Sequence, residues 1–413
     1  MFVESYNPGQ DDILQPATKS NIFTSRDLDT LYSNKKKVKV ALFLPMSGKN
    51  ANLGKLLYNS ALISLFDNDK NNNIELVLVD STDDPIQISQ IFKQQIVKKG
   101  IKTVIGPIFS DQINIISRNA QRYNINVISL SNNQQLMGQI DSNSAIFIAG
   151  FLPEQQIDSA LAYLQKNNIN DVAVMAPNNS YGIAISKIIK DTIANRDATL
   201  IQSDLYDKSN NLENVVDRLV KAYKVPSSLT EGGGRKFEDD FRISKEDKRY
   251  AKAIIVTDSV KQLSEISNLV KKYNENERPI MLVGVGSWDD KSIKKEDFPT
   301  KIIFAAPNDR NFEKFEKSFY RYYKKLPPRI SSIVYDSVSA IAQIVDRNGN
   351  RIPSTDDFIN YQDTQINQIG FSGIDGNFRF LDNGLVQRQY SILELKDGQF
   401  IEINPSNERI LNY

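Results

Sequence analysis

The sequence predicts an α/β protein built as two doubly wound parallel-sheet lobes, and three observations predict it. Runs nearly continuous in Val, Ile, Leu and Phe recur along the chain, as strands buried on both faces of a parallel sheet require. Segments of helical period lie between the runs, and alternating strand and helix gives right-handed crossover units. The 413 residues are long for one core, so two domains are the natural expectation.

The first set of strands is VKVALFLP (Val38 to Pro45), Ile74 to Asp80, Thr103 to Pro107, Asn126 to Ser131 and Ala145 to Gly150. A helix is predicted over 84–99. Asp84 can cap it, Pro85 takes the first turn, Ile88, Ile91, Phe92 and Ile96 form one face, and Gly100 ends it. A second set runs through Asp171 to Pro177, TLIQSDLY, Ala251 to Asp258 and Pro279 to Gly284. Lys301 to Pro307 opens a third block, followed by two helices. The first of these carries Phe312, Phe315, Phe319 and Tyr322, a stripe expected to pack in the core. Asp375-Gly376, Asn383-Gly384 and Asp397-Gly398 are hairpin-turn signals among β-type residues. VALFLPMSG and VAVMAPNNSYG are alike, as a duplicated lobe would produce. Residues 1–36 show no sustained periodicity and are expected as a tail. Residues 226–250, with three glycines and many charges, are expected as an inserted surface loop. GGGRK within them lacks the Lys-Ser/Thr pair of a phosphate loop.

Composition narrows the chemistry. Net charge is +1 from 51 basic and 50 acidic residues, which gives no basic footprint for nucleic acid. Lys35-Lys36-Lys37 reads as a solvated chain entry. With no Cys and no His, disulfides, thiolate metal sites, Cys nucleophiles and the commonest general base are gone. Spacing picks out no Ser-Lys or paired-carboxylate arrangement, so a non-catalytic protein is expected, with no cofactor and no metal. Asp67-Asn68-Asp69 lacks the glycine and glutamate of a calcium loop. No run of apolar residues is long enough to span a membrane. The N-terminus is polar and acidic, unlike a signal peptide. Either the protein is cytoplasmic, or a leader is absent from the chain as given.

In open parallel sheets, ligands bind beyond the carboxyl ends of the strands. Four loops there carry small polar residues beside helix starts. They contain Ser47, Ser110, Ser131 with Asn133, and Tyr181 respectively. Helix starts favour an anion such as a carboxylate. Ser110, Asp111 and Ser180 also read as plain helix caps.

VKVALFLPMSGKNANLG, TVIGPIFSDQ, NVISLS and VMAPNNSYG, in that order, resemble the leucine/isoleucine/valine-binding branch of type I periplasmic binding proteins. VGVGSWDD, FAAPND…FYRYYKKLP and GFSGIDGNFRFLDNGLVQRQYSILEL resemble its penicillin-binding-protein activator-like subgroup. The resemblance covers about residues 37–405. It implies three crossings between lobes, near Gly150-Phe151, Ser287-Trp288 and Phe380. Lobe one would take 37–150 and 287–380, and lobe two 151–286 and 381–413. It implies a periplasmic location and a small polar ligand, amino-acid-like or muropeptide-like, held between the lobes. An ABC permease or a peptidoglycan synthase would be the partner. Ser110 and Tyr181-Gly182 match ligand-contacting positions, Asn133 stands where a threonine is usual, and Ser47 and Trp288 join them as candidates. The lobe-two acid that would bind an ammonium is missing, because Val285-Gly286-Ser287 occupies its loop. Asp258 or Asp289 would have to substitute.

Overall fold

The computed structural model describes residues 36–405, except 141–144, 197, 208–211, 222–249, 259, 275–278, 290–292, 295–297, 308 and 364–367. The expected tail and the insertion 226–250 fall almost wholly outside the described residues.

The first sheet is five-stranded and parallel. Its strands are β1 (Val38–Leu44), β2 (Ile74–Asp80), β3 (Thr103–Ile105), β4 (Asn126–Ser129) and β5 (Ile146–Ile148), in the order β2-β1-β3-β4-β5. β1 pairs with β2 from Val38↔Ile74 to Leu44↔Asp80. From Val40 onward β1 is buried without alternation, because helices cover both faces. Between the strands lie α1 (Ala51–Asn68), α2 (Pro85–Ile91) and α3 (Ser110–Arg122). Asp84 caps α2 by accepting from the Ile86 amide at 2.9 Å. The helix expected over 84–99 is not uniform. After Ile91 the backbone widens into a π-helical turn, Phe92–Val97, that keeps Phe92 and Ile96 buried. Gly100 ends it at φ 67°, in the left-handed region that glycine enters freely.

The second sheet holds seven strands. β6 (Asp171–Pro177), β7 (Thr199–Tyr206), β8 (Ala253–Val256), β9 (Met281–Gly284) and β10 (Ile302–Ala306) are parallel. β16 (Ser391–Lys396) and β17 (Gln399–Asn404) extend it antiparallel, giving β17-β16-β10-β9-β8-β6-β7. Helix α4 (Pro153–Lys166) leads into it from the first lobe, and α5 (Ser180–Ala194), α6 (Leu212–Lys221) and α7 (Val260–Asn274) connect its parallel strands. Its cores lie apart from that of the first sheet.

The expected boundary at 287 is corrected here. β10 falls in the stretch expected for lobe one, yet it lies between β9 and β16 with all five residues buried. An apolar run with no polar face finds its place inside a sheet, and here that sheet is the second. The chain regains the first lobe with α8 (Asp309–Tyr323), whose Phe312, Phe315 and Phe319 pack with Ile63 of α1 and Ile374. Then come α9 (Ser331–Arg347), buried along most of its length, and α10 (Thr355–Ile359). A two-stranded ribbon, β11 (Gln362–Asp363) with β12 (Gln368–Ile369), precedes the three-stranded β13 (Phe371–Gly373), β14 (Gly376–Phe380) and β15 (Val386–Arg388). Phe378, Phe380 and Val386 belong to the first core, so the last crossing follows Arg388 rather than Phe380.

The aromatic stripe needs one correction. Tyr322 is 59% exposed. Tyr323 takes the core-facing place, with its ring 5.0 Å from that of Phe319. Positions 322 and 323 stand three and four residues after Phe319, so helical spacing admits either, and the packing takes Tyr323.

Candidate functional site

The loops after β3 and β4 are laced together. The Leu130 amide donates to the Pro107 carbonyl at 3.0 Å, and so does the Ser129 hydroxyl. Gly106 has φ 102°, and a Cβ there would lie 2.1 Å from the Phe43 carbonyl oxygen. Only glycine lets this loop pass so close to β1. The lacing brings the hydroxyls of Ser110 and Ser131 to 3.0 Å from each other. The Asn133 amide donates to the same Ser131 oxygen at 3.1 Å. Gly150, where the chain leaves the first lobe, donates its amide to the Ser131 carbonyl at 3.0 Å.

Ser110 is the first residue of α3. Phe109 at the cap position supplies no side-chain acceptor, so the positive end of the helix is presented beside the serine pair. A cavity of about 370 Å³ opens over the two serines. Its wall is mainly apolar: Ile108, Phe109, Leu130, Phe151, Ile330 and Ile333. Two hydroxyls at one end of an apolar chamber suit a molecule with an anionic or hydroxyl head and an apolar body.

The other candidates fall outside this chamber's lining. The Asn133 side chain accepts from the Gln135 amide at 3.1 Å and caps the short 3₁₀ turn Gln134–Gly138; Asn132 lines the cavity instead. Ser47 is exposed and bonds Asp80. Burial pushes the Asp80 carboxyl up, but hydrogen bonds from Ser47 and from the Thr82 and Met46 amides outweigh it and hold it below the usual range. Tyr181 opens α5, where Asn179 caps by accepting from the Gly182 amide at 2.8 Å. Its phenol is raised by desolvation first and by the charge of Asp258 second.

Trp288 is corrected from cleft to core. It is fully buried, and its indole N–H donates to the Asp258 carbonyl at 2.9 Å. The 3₁₀ turn Gly286–Trp288 folds the ring onto Gly284, where a Cβ would come within 2.0 Å of it. The acids weighed as substitutes for an ammonium clamp are engaged. The carboxylate of Asp258 accepts from the Tyr206 hydroxyl, and that of Asp289 accepts from Arg329 Nε at 2.8 Å.

Sequence reasoning missed an ionic cluster beside Phe151. Arg329 bridges the lobes: Nε reaches Asp289 of the second, and Nη1 reaches Asp375 of the first at 2.6 Å. Arg388 Nη1 meets Asp336 at 2.9 Å, with both side chains almost wholly buried. The two guanidinium carbons stand 5.1 and 5.6 Å from the Phe151 ring centroid. Desolvation is the main force on Asp336, and it pushes the carboxyl up to about 7 against the pull of Arg388. Nothing local in the sequence marks Arg329, Asp336 and Arg388 as partners of Asp289 and Asp375, because the five come from three separate stretches of chain.

Residues 15–279 match the family model described as "LppC putative lipoprotein". An uncharacterized protein of Rickettsia prowazekii is 23% identical over 391 residues, covering 94% of each chain. The penicillin-binding protein activator LpoA of Pasteurella multocida is 30% identical over 147 residues, which are 35% of this chain and 23% of that protein. Among solved structures, an ABC transporter substrate-binding protein from Sphaerobacter thermophilus superposes with TM-score 0.63 at 15% identity, covering 90% of this chain and 97% of the other. At that identity the likeness establishes the fold, which is that of type I periplasmic binding proteins.

Proposed function

The chain belongs to the LppC lipoprotein family, and from that premise we propose that it is a non-catalytic binding protein of the cell envelope. Its ligand is a small molecule that places a carboxylate or hydroxyl head on Ser110 and Ser131 and an apolar body against Phe109 and Phe151. The observation that carries this reading is the serine pair, 3.0 Å apart, at the start of α3 in a chamber of about 370 Å³. A free amino acid fits less well. No acid is among the described residues that line the chamber, Asp258 and Asp289 are bound to Tyr206 and Arg329, and an unpaired buried ammonium is costly.

A thermal-shift screen of carboxylic acids, small peptides and muropeptide fragments tests the reading. A true ligand at a hundredfold excess over its dissociation constant stabilises by roughly 3 kcal/mol. The double variant Ser110→Ala/Ser131→Ala should lose most of that shift. Equal shifts in both proteins would reject the serine site.

A second reading has its own observation, the 147-residue likeness to a penicillin-binding protein activator. In it, the fold serves as a docking module that stimulates a peptidoglycan synthase. Crosslinking to the organism's own bifunctional synthases at micromolar concentration tests it, and absence of any complex would reject it. Ligand binding and docking are compatible in one protein.

A further inference from the structure

Helix α8 shows two contrasting faces. Phe312, Phe315 and Phe319 are buried against α1 and Ile374. On the outer side Lys314, Lys317 and Arg321 are exposed, and Lys324 and Lys325 follow at the helix end, also exposed. At 3.6 residues per turn, Lys314, Lys317 and Arg321 fall within an arc of about 60°. Tyr320 (52% exposed), Tyr322 and Leu326 (61%) project beside these cations. The Lys324 ammonium lies 5.9 Å from the Tyr320 ring centroid. From Lys317 to Tyr335 the sequence holds no acid, in a chain whose charges otherwise balance. The acids of the helix itself, Asp309, Glu313 and Glu316, sit in its N-terminal half.

We propose that this face of α8 rests on the surface of an anionic lipid bilayer. The cations complement the headgroup charge, and each Lys or Arg near such a surface contributes about fivefold in affinity. Tyrosines belong at the headgroup level, where the ring is half-immersed and the hydroxyl stays wet. Leu326, at the turn before Pro327-Pro328, is placed to enter the acyl boundary. A bilayer fits better than an acidic protein because the apolar groups are projecting tips beside the cations and do not line a groove. A groove of about 350 Å³ does adjoin, between α1, α8 and α9. Its polar groups already serve one another, Tyr335 donating to Asp67 at 2.9 Å and Ser339 to Asn68 at 3.2 Å.

The test is co-sedimentation of the full chain with vesicles of phosphatidylglycerol and phosphatidylethanolamine, against vesicles of phosphatidylcholine alone. Binding to the anionic vesicles only, weakening as salt rises, is the expected result. Arg321→Gln/Lys324→Gln/Lys325→Gln should weaken it on the order of 100-fold. Tyr320→Ser/Tyr322→Ser/Leu326→Ser should weaken it about tenfold or more while keeping the salt dependence. All six positions are exposed, so circular dichroism should be unchanged. Failure of the unaltered protein to bind anionic vesicles at low salt overturns the proposal. So does binding that either triple variant leaves intact. Capture of poly-glutamate without capture of vesicles would also overturn it, in favour of an acidic protein partner.

Discussion

Replacing Arg388 with Met would remove the counter-charge of a carboxylate that has almost no contact with water. Asp336 and Arg388 side chains are 0% and 1% exposed. Breaking a buried pair by deleting one partner costs about 3–5 kcal/mol, because the remaining charge is left uncompensated. Asp336 would keep the Ile374 amide, 2.7 Å from its other oxygen, which places the loss toward the lower end. The pH dependence carries a sign. In the native protein the Asp336 carboxyl titrates near 7, above its unfolded value of about 3.9. Its stability contribution is therefore fully present below about pH 4 and is lost as pH rises through 7. Without Arg388 the folded value moves higher still, so the decline extends past neutrality. The gap between variant and native protein should be widest near pH 8 and narrow toward pH 4. Urea unfolding followed by fluorescence of Trp288, the single tryptophan, reads this directly. A loss under about 1 kcal/mol, or one that is the same at pH 4 and pH 8, would refute the buried-charge reasoning.

Three further outcomes follow from particular contacts. Gly150→Ala puts a Cβ 2.2 Å from the Ser131 carbonyl oxygen, so it should both destabilise by more than about 2 kcal/mol and disturb ligand binding, measured by denaturation and calorimetry. Asn179→Ala removes the cap on the Gly182 amide and should cost about 1 kcal/mol in denaturation experiments, without affecting binding at Ser110. Arg329→Met deletes the ion pair to Asp289 across the lobes together with the one to Asp375 within the first and should make limited proteolysis between the lobes faster, with each lobe's secondary structure intact by circular dichroism.

Much of the fold was legible because its strands are buried on both faces. A run such as Asn126–Ser129 or Asp171–Pro177 needs no partner to be recognised. What sequence left open was which sheet a run joins. Ile302–Ala306 follows a polar stretch and reads as the start of a new block, yet pairing with residues near 282 and 393 decides its place. The site was legible in part for the same reason. Ser110 and Ser131 lie at strand ends, where a general rule points. Ile330 and Ile333 reach the chamber from a helix some two hundred residues away, and no local pattern announces them. Trp288 misled because its neighbours are glycine, serine and aspartate, a loop composition. The turn nonetheless tucks the indole inward, and a core wall has the local sequence of a cleft.

Ile330 lines the chamber, and Arg329, the preceding residue, clasps Asp289 of the second lobe and Asp375 of the first. One peptide bond separates the wall that a guest would press from the clasp that fastens the two halves. That bond is planar, so the two residues share a short rigid link, while the Arg329 side chain keeps its own torsions. The wall of the chamber and the ion pair between the lobes are thus set by one short stretch of chain, and a substitution that shifts that stretch would be felt at both.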